Sequence, residues 1–468
     1  MTTNYQLSTI NYFRTMKHTL ICLIAFFTVT NGTAQTKKLK SGPWAGNVEL
    51  RTATIWMEVS PDVKNIKVNY FRMPGKTFAG NVVYATTLGK DFAPVKLELT
   101  GLDIHTNYTY EIELDGKKEV LPFTTSFTTK DLWQYRKPAP DFNFLTGSCA
   151  YFNEPRFDRP GRAYGSDSTI FTTMAKTPAT FNLWLGDSWY TREVDYSTVW
   201  GMNYRVSLDR SREILQPFLA SMPQYHIWDD HDYGPNNAGK SFIFKEESRR
   251  IFINYTANPS YGMDGKGIYT KISYSDVDIF LTDNRYFRSE QTFPDSIDGK
   301  PNPAKSYFGA EQMDWLKNAL LASRATFKII ATGGQILNPA SSFDCMRFYS
   351  FEYNDLLNFL QQAKISGVLF LSGDRHHSEV IKLERAGNYP LYDVTVSPFT
   401  AGISRVRENE ENNPARVPGT LVQLHNFGNI SISGEPKKRK LRVSFIGLKG
   451  EQIASWEVDE SELKAPLP

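Results

Sequence analysis

The sequence predicts an α/β protein with a small all-β region ahead of it. Three observations carry that expectation. The chain has 468 residues, too long for one small core. Residues 43–130 hold about seven short alternating segments separated by turns, the pattern of a small β-sandwich. After Asp141 the pattern changes: short, continuous apolar runs end in polar clusters and alternate with helical segments, which suits sheets covered on both faces.

The chain begins with what reads as an export signal over residues 1–34. Met16-Lys17-His18 is a short basic region, residues 19–30 are mostly apolar, and Gly32-Thr33-Ala34 supplies small residues for cleavage after Ala34. Residues 1–15 read either as an extended leader or as an over-long start, with Met16 the initiator. The apolar stretch is too short to span a bilayer comfortably, and no second spanning stretch occurs. The expected location is the periplasm or outside the cell. The mature chain then keeps Cys149 and Cys345, and an exported protein with two cysteines invites a disulfide.

Residues 43–130 carry alternation at 49–59, 65–71, 82–87, 95–99, 108–114 and 121–128, with turns at Pro74-Gly75 and Asp115-Gly116, and no chemistry. Residues 131–141, with Pro138 and Pro140, read as a linker into a catalytic domain at 141–460. Its strands are expected at 142–145, 181–185, 225–228, 277–281, 327–331 and 368–371, and its helices at 209–222, 241–255, 310–323 and 354–363. Strands return over 421–458, with Gly428-Asn429 and Lys449-Gly450 as turns. Residues 286–309 and 398–419, rich in Pro, Gly, Asp and Asn, read as surface loops. The net charge of +3 is dispersed and calls for no nucleic-acid surface. Oligomeric state is not legible.

Ligands gather at the carboxyl ends of strands in α/β proteins. Five of these ends carry metal-binding side chains: Cys149, Asp187, Asp230, Gln335, and Asp374 with His376. Tyr190 follows Asp187 closely enough to curl back beside it. The stretch Trp228-Asp229-Asp230-His231-Asp232 packs three carboxylates and a histidine together, which burial does not tolerate without a cation or bound solvent. Several such ends together imply a polynuclear metal site. A thiolate and a phenolate with His376 suit ferric iron, whereas the oxygen-rich Asp187, Asp230 and Asp374 suit calcium, magnesium or manganese. The chemistry expected is hydrolysis of a phosphate ester. Two cations clamp the phosphoryl oxygens and lower the pKa of a bound hydroxide, which attacks phosphorus in line. His231 is assigned to protonating the leaving oxygen or stabilising developing charge, and Arg285 to holding a substrate oxygen.

The motifs Gly147-Ser148-Cys149, Gly186-Asp187-Ser188-Trp189-Tyr190, Trp228-Asp229-Asp230-His231-Asp232 and Gly373-Asp374-Arg375-His376 resemble the PhoD-like alkaline phosphatase and phosphodiesterase family, related to the purple acid phosphatases. The resemblance covers residues 43 to about 460. It implies a two-sheet α/β/β/α metallophosphatase sandwich preceded by a fibronectin III/Ig-like domain. It also implies Fe3+ on Cys149, Asp187, Tyr190 and His376, and Ca2+ on Asp187, Asp230 and Asp374, with Mn, Mg or Zn the alternatives. Gln335 stands where the wider superfamily has a histidine ligand. His377, beside His376, is expected to point away from it.

Other readings stay open at this point. Cys149 fits a disulfide with Cys345, Gln335 fits a strand cap, and Arg285 fits a salt bridge to Asp283. The leading function is an exported phosphatase acting on mono- or diesters. The alternatives are a phosphodiesterase or phospholipase-type enzyme with little monoesterase activity, and a non-catalytic surface-binding protein with structural metals.

Overall fold

In the computed structural model, residues 37–85, 88–342 and 344–466 are described, and the expected signal segment at 1–34 lies outside them. The fold is mixed α/β with several sheets. Before Asp141 the described strands form two antiparallel sheets. Leu39–Val48, Thr52–Val59 and Ala93–Thr100 make one. The other is built on Thr77–Ala85, Asn65–Arg72 and Asn107–Leu114, with Lys117–Lys118 and Ser126–Thr128 at its edge. Their alternating residues share one apolar cluster that includes Ile55, Val68, Leu97, Tyr108 and Ile112.

These strands do not stand apart from the α/β region. Trp44 and Trp56 stack with ring centroids 5.0 Å apart and belong to its larger core. Trp56 Nε1 donates to the carbonyl of Asn254 at 2.7 Å, and Ser207 donates to the buried Glu58 carboxylate. Burying each indole is worth about 3 kcal/mol, so the junction is a packed interface and not a tether.

Beyond Asp141 lie two six-stranded sheets. The first runs Gln224–Ile227, Asn182–Leu185, Phe142–Gly147, Asn426–Ser433, Lys440–Gly447 and Gln452–Asp459. Its first three strands are parallel and the rest antiparallel. The second runs Thr270–Tyr274, Val277–Leu281, Phe327–Ala331, Val368–Ser372, Leu391–Thr395 and Glu379–Leu383, with four parallel strands between two antiparallel edges. Five of the parallel strands are buried at every residue, including the polar Asn182, Gln224, His226, Asp278 and Lys328 among their apolar neighbours. Both sheets contribute to one apolar core.

Several local expectations need correcting. The helix expected over 209–222 is broken. Val199–Arg210 ends at Ser211, and a new helix, Gln216–Ser221, restarts with a proline in its first turn. Gly428-Asn429 is not a turn but the middle of Asn426–Ser433, paired with Thr146 and Leu145. A Cβ on Gly428 would meet Thr146 Cγ2 at 3.0 Å, so the glycine serves a close approach inside the sheet. Residues 421–424 make an isolated bridge from Val422 to Ser378, not a strand. No helix among the described residues is long and apolar enough to cross a membrane.

Candidate metal centre

The carboxyl ends of the parallel strands of both sheets meet. A Cβ on Gly373, after Val368–Ser372 of the second sheet, would sit 2.6 Å from Ser148 Oγ of the first. One on Gly333 would sit 2.5 Å from Asp229 Cγ. Glycine at these two turns lets the two sets of strand ends close on each other. The residues next to them are bent hard. Cys149, Asp187, Asp374 and His376 have φ of 62°, 51°, 66° and 56°, the left-handed region that non-glycine residues avoid at about 1–3 kcal/mol each. Four such residues converging on one spot is strain of the kind functional sites hold.

Four of the expected ligands form one cluster. Tyr190 OH donates to Asp187 Oδ2 at 2.9 Å, and Cys149 Sγ lies 3.6 Å from the same oxygen. His376 Nδ1 lies 2.5 Å from the carbonyl of Gly402, which can only accept, so Nδ1 carries the proton. That leaves Nε2 with its lone pair facing inward, 3.4 Å from Tyr190 OH. Cys149, Asp187 and His376 each offer a ligand atom within 4.8 Å of the others. Cys149 and Cys345 are both buried free thiols, which sets the disulfide reading aside.

A second set adjoins it through Asp187. Asp187, Asp230 and His231 form one group within 4.8 Å, and Asp229, Asp230 and Asp374 form another. Asp230 accepts from the His231 and Asn237 backbone N–H groups at 3.0 and 2.7 Å. Asp232 holds the two turns together without facing the cluster. It accepts from Ser188 and Trp189 N–H at 2.7 and 3.2 Å and from Asp229 N–H at 2.9 Å. Among the described residues, the buried Asp229 Oδ2 and Asn284 Oδ1 have no hydrogen-bond partner.

The charges ask for cations. Two carboxylates 4.8 Å apart repel by about 3 kcal/mol at an effective dielectric of ~20. Three pairs approach the whole stability of a typical domain, and Arg285 offsets only part of this. Burial and the Asp230, Asp229, Asp232 and Asp374 charges push the Asp187 carboxyl well up. Enclosure and the Asp229, Asp344 and Asp230 charges do the same to Asp374. Asp229 is pushed up to about 7, chiefly by burial. Asp230 goes the other way: burial raises it, but His231 and Arg285 outweigh that and hold it low. Burial pushes His376 down to about 4 and keeps His231 below its ordinary value, so both rings are neutral near pH 7 and able to coordinate or relay protons. A soft and oxygen donor set beside a cluster of carboxylates fits a transition metal next to a harder ion.

Two expected site residues lie elsewhere. Gln335 is not in the cluster. Its amide donates to Glu379 and Thr395, each at 2.9 Å, and its oxygen accepts from Asn338 at 3.0 Å. Its donors and acceptor are consumed in a buried network, which corrects its assignment as a ligand. Arg285 is close to the cluster but beneath it. Nε donates to Asp229 at 2.5 Å and Nη2 to Asp344 at 2.6 Å, and the side chain is 0% exposed. It is the keystone of an ion-pair network with Asp229 and Asp344, which corrects both its substrate-holding role and the expected partner Asp283. His377 Nε2 lies 3.4 Å from Glu379 Oε1, and the residue also lines the cavity over the cluster beside His376.

The sequence did not point to Asp229 as a member of the second cluster, to Asn284 beside it, or to Asp344. Asp229 and Asn284 each lie just after a buried strand, so a signal existed. Asp344 joins from a loop remote in sequence and had none. A cavity of about 330 Å³ opens over Asp187, Asp230, His231, Asp374 and His376, with Arg405 and Arg407 at its rim.

Comparison with known proteins gives concordant likenesses. A sequence model described as PhoD-like phosphatase matches residues 144–440. Alkaline phosphatase D of Bacillus subtilis (strain 168) is 22% identical over 387 residues, 70% of this chain and 62% of that protein. The chain thus spans a little under two thirds of that relative's length. A solved structure titled "Structure of PhoD" superposes with a TM-score of 0.75 at 18% identity, covering 92% of both chains, which shows the shared fold.

Proposed function

The chain belongs to the PhoD-like phosphatase family, and from that premise we propose that it is an exported, metal-dependent phosphoric ester hydrolase of the alkaline phosphatase D type. One observation carries the proposal: Cys149, Asp187, Tyr190 and His376 converge on one point, and Asp187 leads directly into Asp229, Asp230 and Asp374. The first group would hold ferric iron and the second calcium, with Asp187 between them. The cations, when bound, would neutralise the phosphoryl oxygens and activate water for attack on phosphorus.

The chain's own residues do the rest. His231 stands at the cavity beside Asp187, where its neutral ring can take the proton released by the attacking water and pass it to the departing oxygen. Asp232 fixes the Asp187 turn against the Asp229 backbone, and Arg285 fixes the Asp229 side chain. By the same proposal, the two six-stranded sheets form the α/β/β/α sandwich of a catalytic domain at 141–460, residues 43–130 form a fibronectin III/Ig-like domain, and an export signal at 1–34 delivers the protein to the periplasm or beyond. A phosphodiesterase or phospholipase-type enzyme with little monoesterase activity is the second reading.

The test is metal analysis and visible absorption of protein purified without chelator, with rates on 4-nitrophenyl phosphate and bis(4-nitrophenyl) phosphate. Iron with a thiolate- or phenolate-to-iron absorption band and hydrolysis of either ester are expected. Diester activity alone selects the second reading. Protein that folds, binds metal and cleaves neither ester would be a binding protein.

A further inference from the structure

A second cavity of about 480 Å³ opens beside the metal cavity. Tyr164, His231 and Asn236 line both. Four tyrosines share its lining with charged residues, Asp158, Arg159 and Glu193 among them. Tyr151 meets Tyr164 edge-on with centroids 4.9 Å apart, and Tyr196 lies farther along the wall. The Tyr151 ring is braced from behind by the Arg192 guanidinium, 4.3 Å from its centroid, and its hydroxyl donates to Asp158 at 2.7 Å. Tyr164 is 46% exposed, so its face is open to a ligand. Arg162 adds a cation on the exposed rim.

The position of His231 gives this cavity a direction. Its ring stacks on Tyr190 at 4.2 Å and stands on the boundary between the two cavities. A phosphorus held over Asp187 and Asp230, with its departing oxygen toward His231, carries the departing group into the aromatic cavity. The substituent that stays on phosphorus points toward the Arg405 side of the metal cavity. Flat aromatic walls recognise a planar ring by stacking and do so whatever its hydrogen-bonding edge.

We propose that the cavity walled by Tyr151, Tyr164 and Tyr196 is a leaving-group pocket for alcohols that carry a planar ring, as nucleosides do; the proposal rests on the hydrolase reading above. In the step it serves, water adds its hydroxyl to phosphorus. The P–O bond to the ring-bearing alcohol breaks with its electron pair staying on oxygen, and the proton released by the water ends on that oxygen.

The test is the direction of cleavage of adenosine 5′-methyl phosphate by the metal-loaded enzyme. Both its departing groups are alkyl alcohols, so aryl activation does not bias the result. The pocket requires adenosine and methyl phosphate to exceed AMP and methanol by at least tenfold, and Tyr196→Leu to bring that ratio toward one with metal content and melting temperature unchanged. Calorimetric titration adds a readout independent of turnover: AMP should bind about tenfold more tightly than methyl phosphate, and Tyr196→Leu should close that gap while leaving inorganic phosphate binding as it was. Equal or reversed products overturn the proposal, as does a Tyr196→Leu enzyme with the wild-type ratio. Cleavage of bis(4-nitrophenyl) phosphate without cleavage of the adenosine ester, and without the AMP preference, overturns the pocket and leaves the hydrolase reading standing. Failure on both esters overturns the hydrolase reading, and the titration alone then decides the pocket.

Discussion

Replacing Arg285 separates two roles that its sequence context does not distinguish. The guanidinium gives Nε to Asp229 at 2.5 Å and Nη2 to Asp344 at 2.6 Å, and all three side chains are buried. In Arg285→Ala, Asp344 keeps its ion pair with Arg288, but Asp229 keeps only neutral donors, the Asn284 amide at 2.8 Å and the Asp232 backbone N–H of the helix cap. One buried carboxylate then lacks a counter-charge, which costs about 3–5 kcal/mol. The cost falls toward the lower figure near neutral pH. Asp229 is already pushed up to about 7 with the guanidinium present, so without it the carboxyl takes a proton instead of standing bare. Arg285→Lys keeps the charge but cannot fork between two carboxylates, and should cost about 2 kcal/mol, one charged hydrogen bond. Urea unfolding of the metal-free protein reads both values as midpoint shifts at constant slope. KM for a diester, measured below the unfolding transition, should change less than threefold in Arg285→Lys. Should Arg285→Ala unfold at the wild-type midpoint while KM rises tenfold or more, the guanidinium is a substrate anchor and the keystone assignment fails.

The same geometry fixes four further outcomes. Asp187→Asn should lower both metals together, with loss of the visible band, because its carboxylate adjoins Cys149, Tyr190 and Asp230; elemental analysis showing only one metal lost would remove it from the bridging place. His231→Ala should retain metal and lose about 10²–10⁴ in kcat, the range of general acid–base relay, and loss of metal would make it a ligand instead. Gln335→Ala should leave metal content untouched and cost about 2 kcal/mol in urea, since it removes three buried hydrogen bonds, to Glu379, Thr395 and Asn338. Glu379 carries a pH signature. Burial raises its carboxyl, but His377, Arg416 and Gln335 more than offset that and hold it at about 2, against an ordinary 4.5. A depressed folded-state value means the stabilisation is full above pH 4.5 and is lost as pH falls through 2. Over that window it amounts to roughly 3 kcal/mol, and Glu379→Gln should flatten the acid limb of a stability–pH curve by about that much.

What the sequence could reveal was set by how far each relation reaches along the chain. A strand that is buried on both faces is mostly apolar, and a turn at its end is polar. So Phe142–Gly147, Asn182–Leu185 and Val368–Ser372, and the chemistry just after each, are visible from a window of a few residues. Tyr190 was placed beside Asp187 for the same reason, being three residues away. Partners set by the fold are not visible this way. Gln335 and Asp374 both follow buried strands of the same sheet, and nothing local says that one faces the metals and the other side of the sheet holds Glu379 and Thr395 for Gln335 to meet. Arg285 is two residues from Asp283, so a local pair was the natural expectation. Its backbone N–H does bond Asp283 at 2.9 Å, but the guanidinium reaches Asp229 and Asp344, 56 and 59 residues away.

The acidic stretch after Gln224–Ile227 shows the limit most clearly. Asp229, Asp230 and Asp232 are interchangeable as letters, and each has a different task. Asp229 is the helix N-cap and the Arg285 partner, Asp230 begins the helix and faces the cavity, and Asp232 reaches back to the Asp187 turn. The separation comes from one helical turn starting at Asp230: within it, consecutive side chains point about 100° apart. A strand continued through the same residues would instead have set Asp230 opposite both neighbours and left Asp232 facing the same way as Asp230. The cluster therefore works because the strand stops at Ile227. The reciprocal cap between Asp229 and Asp232 is the local interaction that starts the helix there, and that signal is a carboxylate three residues after another.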